Sequence, residues 1–372
     1  AEDGIRDVER SRGLGDVYKR QNNNQKLSAC FTFKGLSKIK VESLEAGDII
    51  AIAGIDGIEI GDSLSSNDNP EPLPRIKIDS PTVSMYFQVN NGPFAGKDGK
   101  YLTSRHLGDR LKKETLVNVS LQIIGTNSPD IFEVCGRGEL QMAVLIETMR
   151  REGYEFMVSK PVVITINKDG KKLEPVEHVF LDLPEQHVGT ITEKLSERKG
   201  IMLNLQNNGS GRVMLEFKIP ARGLIGFRSQ YLTDTKGAGI MNTLFDSYEP
   251  WFGPIPKRSS GVLVGDRQGV VTPFAYLAMA DRGVLFTSVG TEVYEGMVIG
   301  ERNRVGDLDV NITKEKKLTN MRAASSDSTV TLRPPKIMSL DRCIEFIDDD
   351  ELIEVTPKTI RMRKRELIKN KR

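Results

Sequence analysis

Apolar positions along the chain repeat with two periods, and each change of period marks an element. Thr82 to Val89 alternates and predicts a strand, and Ser104 to Glu114 predicts a helix with Leu107 and Leu111 at i, i+4. Strands are expected over Leu116 to Ile124 and Ile131 to Cys135. A helix over Glu139 to Arg151 follows, with Leu140, Val144, Leu145 and Met149 on one stripe, then a strand from Tyr154 to Val158. Gly153 is a stop signal for that helix, and Glu147 precedes Arg151 by four residues in the favourable order. The scheme then repeats. A strand at Leu173 to Leu183 leads to a helix carrying Val188, Ile191 and Leu195, ended by Gly200. Strands Ile201 to Leu205 and Val213 to Ile219, a helix near Arg222 to Leu232, and a strand from Ile240 to Tyr248 complete it. Each segment reads β-α-β-β-α-β, the ferredoxin-like split unit.

Around this pair the pattern is β-rich. Gln25 to Ile78 carries short runs such as Leu27 to Phe33, and Gly47 to Gly54 reads as one buried strand, so a partial β-barrel is expected there. Pro250 to Pro256 is a linker or corner. Strands are predicted at Gly261 to Val264, Gly269 to Thr272, Val284 to Val289 and Met297 to Asn303. A long loop, Asp309 to Asp327, follows. Ser339 then opens a helix with Leu340, Ile344 and Ile347, and a strand pair closes the chain, Leu352 to Val355 and Thr359 to Arg363. The fold class is α+β multidomain. The expected parts are the barrel remnant at 22–78, ferredoxin-like domains at 79–158 and 159–250, and a β-rich C-terminal domain at 251–372 with a long basic loop.

Composition refines this picture in few places. At 372 residues, two or three domains are expected, and 38% hydrophobic with 28% charged content is that of a globular chain. A net charge of +2 excludes no partner, but charge is segregated, acidic from Asp341 to Glu354 and basic from Lys358 to Arg372. Cys30, Cys135 and Cys343 are too sparse for a metal knuckle or disulfide framework, which points to a reducing, cytoplasmic setting. No run approaches a membrane span, and no signal peptide is expected. Ala1 to Gln21 resembles translated sequencing-adapter read-through and is set aside as non-native, with the true amino-terminal part expected to be missing.

Candidate chemistry is sparse until the last third. Gly92 to Asp98 resembles a phosphate loop, but three residues separate its glycines and Asp98 stands where Ser or Thr would hold magnesium. Asn167 to Gly170 reads as a hairpin turn before a guanine reader. His106, His178 and His187 lack a Ser or Cys partner at a recognisable spacing. Asp348 to Glu351 offers carboxylate oxygens to a hard cation, although a solvated helix end explains it more simply. Basic residues remain: Lys314, Lys316, Lys317 and Arg322 with Asn320 in the loop, Lys257 and Arg258, Arg302 and Arg304, and Arg361, Arg363, Lys364 and Arg365. Period-two alternation aims Arg361, Arg363 and Arg365 to one face, where a nucleic-acid backbone or an internal acidic partner answers them.

Several stretches resemble known proteins. Gly136-Arg137-Gly138-Glu139-Leu140-Gln141-Met142 and Leu145 to Glu155 are similar to the third domain of elongation-factor-G-like translational GTPases. Pro220 to Arg228, Lys236 to Asn242, Lys316 to Arg322 and Phe346 to Pro357 resemble the BipA/TypA family of ribosome-binding GTPases, over about Gly35 to the end. The resemblance implies a factor docking at the A-site region of the ribosome and assisting large-subunit assembly and stress adaptation. Its partners would be the large subunit, rRNA and A-site tRNA, with no membrane and a monomer off the ribosome. It also implies a C-terminal loop reaching the peptidyl-transferase centre and tRNA acceptor end, carried by Lys314, Lys316, Lys317, Asn320 and Arg322. The family's GTP and Mg2+ would belong to a domain before residue 25, leaving this chain without a cofactor or GTPase activity. Gln141 stands where the family motif usually has histidine. The rival readings are a metal-dependent RNA-processing enzyme built on Asp348 to Glu351 and a protein-interaction module.

Overall fold

The computed structural model describes residues 7–10, 21–24, 28–41, 47–54, 60–65, 80–207, 209–255, 258, 260–315 and 332–368, without the side chains of 7–10, 21–24 and 63–65. The chain divides into two compact units, residues 1–79 with 113–119, and 80–112 with 120–372. Among the described residues seven α-helices accompany a larger number of strands, a mixed α+β chain dominated by sheet.

The first unit holds two three-stranded antiparallel sheets. Asp7–Arg10 lies between Gln21–Asn24 and Ser63–Ser65, so the stretch read as adapter-like carries a strand. Ala29–Lys34 lies between Ser37–Val41 and Ile50–Ala53. These strands close no barrel among the described residues. Ile50–Ala53 is half-buried rather than buried, because its sheet has only two other strands to cover it.

In the second unit, residues 80–159 supply four antiparallel strands in the order Phe156–Ser159, Val83–Val89, Ile131–Gly136, Gln122–Gly125. Their helices are α1 (Ser104–Val117) and α2 (Glu139–Arg151). α1 runs three residues past its expected end, over ground predicted as strand. The stripe of α2 is turned from the expected one: Met142, Ala143, Leu145, Ile146 and Met149 are buried, while Leu140 and Val144 face out. Both settings keep apolar residues three and four apart, so spacing alone does not choose between adjacent faces.

The sheet does not end there. Phe156–Ser159 pairs antiparallel with Glu351–Val355, Phe156 opposite Val355 and Val158 opposite Ile353. Ile360–Lys364, Met297–Arg302, Val262–Gly265 and Leu308–Val310 continue it, and with Val162–Val163 beside Val83–Val89 and Gly283–Leu285 beside Met297–Arg302 the sheet has eleven strands. One core spans both parts, with Phe87, Leu111 and Met149 in the same cluster as Val264, Ile344, Ile353 and Met362.

Residues 166–250 form a separate sheet in the order Ile240–Pro250, Lys171–Pro184, Arg212–Pro220, Ile201–Asn207, with Ile166–Lys168 as a hairpin arm on Lys171–Pro184. That arm turns through Asp169 (φ 52°) and Gly170 (φ 74°), the two positive φ values of a type I′ turn. α3 (Val188–Glu197) buries Ile191 and Leu195 on the sheet. The helix expected near Arg222 is two, α4 (Ala221–Leu224) and α5 (Phe227–Asp234), broken at Gly226, whose φ of +74° no helix accommodates. α6 (Pro273–Ala280) and α7 (Leu340–Phe346) belong to the C-terminal part. α6 went unanticipated because Phe274 to Met279 is apolar all round, although Thr272 as N-cap and Pro273 at the first helical position signal it.

Candidate nucleic-acid interface

The basic loop springs from a buried base. Val310 and Ile312 enter a core cluster with Tyr276, and Leu332 packs on the same cluster where the described chain resumes. Thr272 Oγ1 caps α6 by accepting from Ala275 N–H (3.2 Å) and donates to Lys314 O (2.6 Å). Tyr276 Oη, one turn along α6, donates to Arg333 O (2.7 Å). Lys314 and Arg333, on either side of 316–331, are therefore tied to α6 and its N-cap. Lys314 is exposed at the exit, while Lys316, Lys317, Asn320 and Arg322, like Lys257, lie outside the described residues.

The other predicted cations go to different places. Arg304 is exposed and has no ion pair among the described residues. Arg302 donates to Gly306 O (2.9 Å) and so closes its own turn. Arg365 is exposed and donates to Asp349 O (3.1 Å).

The outward basic face expected of Arg361, Arg363 and Arg365 needs a correction: of the three Arg365 is exposed, while Arg361 and Arg363, like Lys364, lie within the sheet. Ile360–Lys364 is an interior strand between Met297–Arg302 and Glu351–Val355, and both of its faces are covered. Arg363 is 3% exposed and donates to Asn91 Oδ1 (3.1 Å). Lys364, also 3% exposed, meets Asp307 (2.5 Å), Asp350 (2.9 Å) and Glu351 (2.9 Å). Burial works to lower the Lys364 ammonium, but Asp307, Asp350 and Glu351 outweigh it and hold the group above its ordinary value. Arg361 lies 3.8 Å from Glu354 and 4.0 Å from Asp98, over the Phe94 ring. Arg258 pairs with Glu351 (2.9 Å) and stacks on Phe346. Internal carboxylates answer Arg258, Arg361 and Lys364, and an amide and backbone carbonyls answer Arg363.

The same pairings dispose of the acidic cluster as a cation site. Lys160 Nζ takes Asp348 (3.1 Å) and Asp349 (3.7 Å), and Asp350 and Glu351 go to Lys364. Among the described residues no group of His, Cys, Asp and Glu is placed to hold a metal ion. The phosphate-loop look-alike is also filled from within. Gly96 and Gly99 N–H donate to the two oxygens of Glu155, each at 2.8 Å, so a buried carboxylate sits where a phosphate would. Asn90 Nδ2 bridges Glu155 and Glu354, and Tyr294 Oη donates to Glu354 (2.8 Å). The glycine loop and the acidic cluster are thus both occupied by partners of their own.

Two contacts that sequence reasoning missed fix the 166–250 module. Arg222 forks onto buried Glu174 (2.5 and 3.1 Å) and Gly253 O while stacking on Trp251, which pins the corner after Pro250. Gly226 N–H donates to Glu139 Oε2 (2.7 Å), and a Cβ at Gly226 would run into the Glu345 side chain. Burial first, then Glu345 and Asp341, push the Glu139 carboxyl up to about 7, against the Gly226 hydrogen bond and Arg198. The signal lay in Gly138-Glu139 and Ile225-Gly226, but only the packing of α2, α7 and the α4–α5 turn joins them. Gln141 accepts from Arg137 N–H (2.8 Å) and donates to Ser120 Oγ (2.8 Å), so the amide holds its loop.

Comparison with known proteins follows the same division of the chain. Residues 260–369 match the TypA/BipA C-terminal domain, and residues 171–259 match the elongation factor G C-terminus. The large ribosomal subunit assembly factor BipA of Bacillus subtilis (strain 168) is 47% identical over 348 residues, 93% of this chain and 57% of that protein. The protein of that name from Salmonella typhimurium is 49% identical over 353 residues, 95% of this chain and 58% of that protein. The Synechocystis relative is 48% identical over 339 residues, 91% of this chain and 57% of its own length. The chain thus spans under three-fifths of the curated relatives it matches.

Proposed function

The chain belongs to the TypA/BipA family, and from that premise we propose that it is a ribosome-contacting part of a large-subunit assembly factor. It docks at the A-site region, presenting its basic loop toward the peptidyl-transferase centre and the acceptor end of A-site tRNA. The observation that carries this reading is the mounting of the residues that flank the cation-rich stretch: Lys314 and Arg333 are tied to α6 and its N-cap beside a buried core. Lys316, Lys317 and Arg322 then reach phosphates with Lys314 at the base, while Asn320 is left for a base or sugar. The buried cations of the sheet take no part.

The two β-α-β-β-α-β segments are read as ferredoxin-like domains, a reading supported by their shared order of last, first, third and second strand. GTP and Mg2+ are assigned to the whole protein rather than to these residues, and a stress role, a cytoplasmic location and a monomeric state off the ribosome complete the proposal. No described helix is long and apolar enough to cross a membrane.

Cosedimentation with large ribosomal subunits over a salt series tests it. Affinity should fall steeply with salt, and Lys316→Ala, Lys317→Ala and Arg322→Ala should each lower the salt slope by roughly one. Binding indifferent to salt and to all three changes refutes it.

A further inference from the structure

The 166–250 module covers only one face of its sheet. Val179, Leu181, Leu183, Leu215 and Phe217 pack inward with α3 and α5, and the ladder places their neighbours on the opposite face. There, Leu244 lies opposite His178, Ile240 and Met214 flank Asp182, and Phe180 stands at the centre, stacked on His178 with centroids 4.3 Å apart. Leu244 is 62% exposed, Ile240 55% and Met214 44%. An antiparallel sheet with one solvated face ordinarily shows polar residues on it. An exposed apolar patch with a polar rim marks an interaction site.

A four-stranded sheet of this order with a central aromatic is also a shape that stacks RNA bases. Charge decides between the two partners. Arg212 is paired with Asp182 (2.8 Å), and Lys218 is held by both Asp246 (2.9 Å) and Glu249 (2.5 Å). Among the described residues, Glu216 is met by His178 (3.4 Å) and Asn204 (3.4 Å) and by no Lys or Arg. Four carboxylates thus meet two permanent cations, and both cations are engaged. A phosphate backbone needs unengaged Lys or Arg, and this face offers a surplus of the wrong sign.

We propose that the open face of the 166–250 sheet docks a basic protein segment with apolar side chains, carried by a protein of the large ribosomal subunit. Leu244, Ile240, Met214 and Phe180 take its apolar side chains, and Glu216 with the Asp246 and Glu249 pair around Lys218 takes its cations. The inference rests on the ribosome reading above. Its geometry complements the basic loop: the loop meets RNA and this face meets protein.

The test places a benzoylphenylalanine photocrosslinker at Leu244, with a control crosslinker at Arg304, and irradiates the full chain on purified large subunits. The Leu244 position should give an adduct that resists ribonuclease, is lost to protease, and maps to a Lys/Arg-rich segment of a subunit protein. Leu244→Asn with Ile240→Asn, both at exposed sites, should weaken subunit binding by about tenfold or more while leaving the salt slope unchanged. A Leu244 adduct to rRNA or to a second copy of the chain overturns the proposal, as does no adduct while cosedimentation and the Arg304 adduct persist. Absence of cosedimentation refutes the ribosome reading and this inference with it.

Discussion

The contact between Glu139 and Gly226 makes the junction of α2, α7 and the α4–α5 turn sensitive to pH. Glu139 Oε2 accepts from Gly226 N–H at 2.7 Å. Around it, Glu345 and Asp341 raise the carboxyl, and Arg198 lowers it. Arg198 cannot swing over freely, because its guanidinium donates to Gly223 O (2.9 Å), Ile225 O (3.0 Å) and Gln230 (3.1 Å). The group titrates near 4.5 when free and at about 7 in the fold. The fold therefore binds this proton more tightly than the unfolded chain does. Its contribution is full below pH 4.5, declines as pH rises, and is gone above about 7. The gap corresponds to about 3 kcal/mol at most. Glu139→Gln keeps the carbonyl acceptor and removes the titration. Exchange of the Gly226 amide, corrected for intrinsic rates, should accelerate in the native protein between pH 5 and 8 and stay level in the variant. At pH 8 the variant should be the better protected of the two, by up to about a hundredfold. Parallel profiles for the two proteins would refute the assignment of this proton to Glu139.

Other consequences are as direct. Lys364→Met should cost about 3 to 5 kcal/mol in chemical denaturation, because Glu351 stays buried with one cation fewer. It should leave the salt slope of subunit binding intact in the folded fraction, and a slope lowered by one would mean that Lys364 meets phosphate. Gly226→Ala places a side chain at φ +74° against Glu345, and should lower the thermal midpoint by several degrees. A midpoint within one degree of the native protein would show that the turn is not clasped. Calorimetric titration with magnesium should give no saturable heat that Asp349→Asn abolishes, since Lys160 and Lys364 already hold the cluster. Heat lost in that variant would restore the metal reading.

Much of the local structure was readable in order along the chain. The last part of Lys171–Pro184 alternates, so Val179, Leu181 and Leu183 could be assigned to one face before any packing was known. Ser339 caps α7 as its position suggested, accepting from Arg342 N–H. Sequence failed where it had to decide what lies across from a side chain. The alternation of Arg361, Met362 and Arg363 was correctly periodic, yet its outward reading was wrong, because both sides of that strand are covered. The cation-rich loop at 316–322 falls outside the described residues, so its cations remain a reading of composition and resemblance.

What the sequence by itself determined is most of the order of elements, α6 and the break at Gly226 excepted, and the family, since both rest on neighbours a few residues apart and on stretches such as Pro220 to Arg228. Only the tertiary structure decided which charges are internal. Glu155 fills the glycine loop, Glu351 faces Arg258 and Lys364, and Phe156 lies beside Val355, all contacts between positions distant in sequence. The physical reason is that a charge has no intrinsic side. In water it is one more solvated group, and only when a distant strand removes the water must it find a partner of opposite sign.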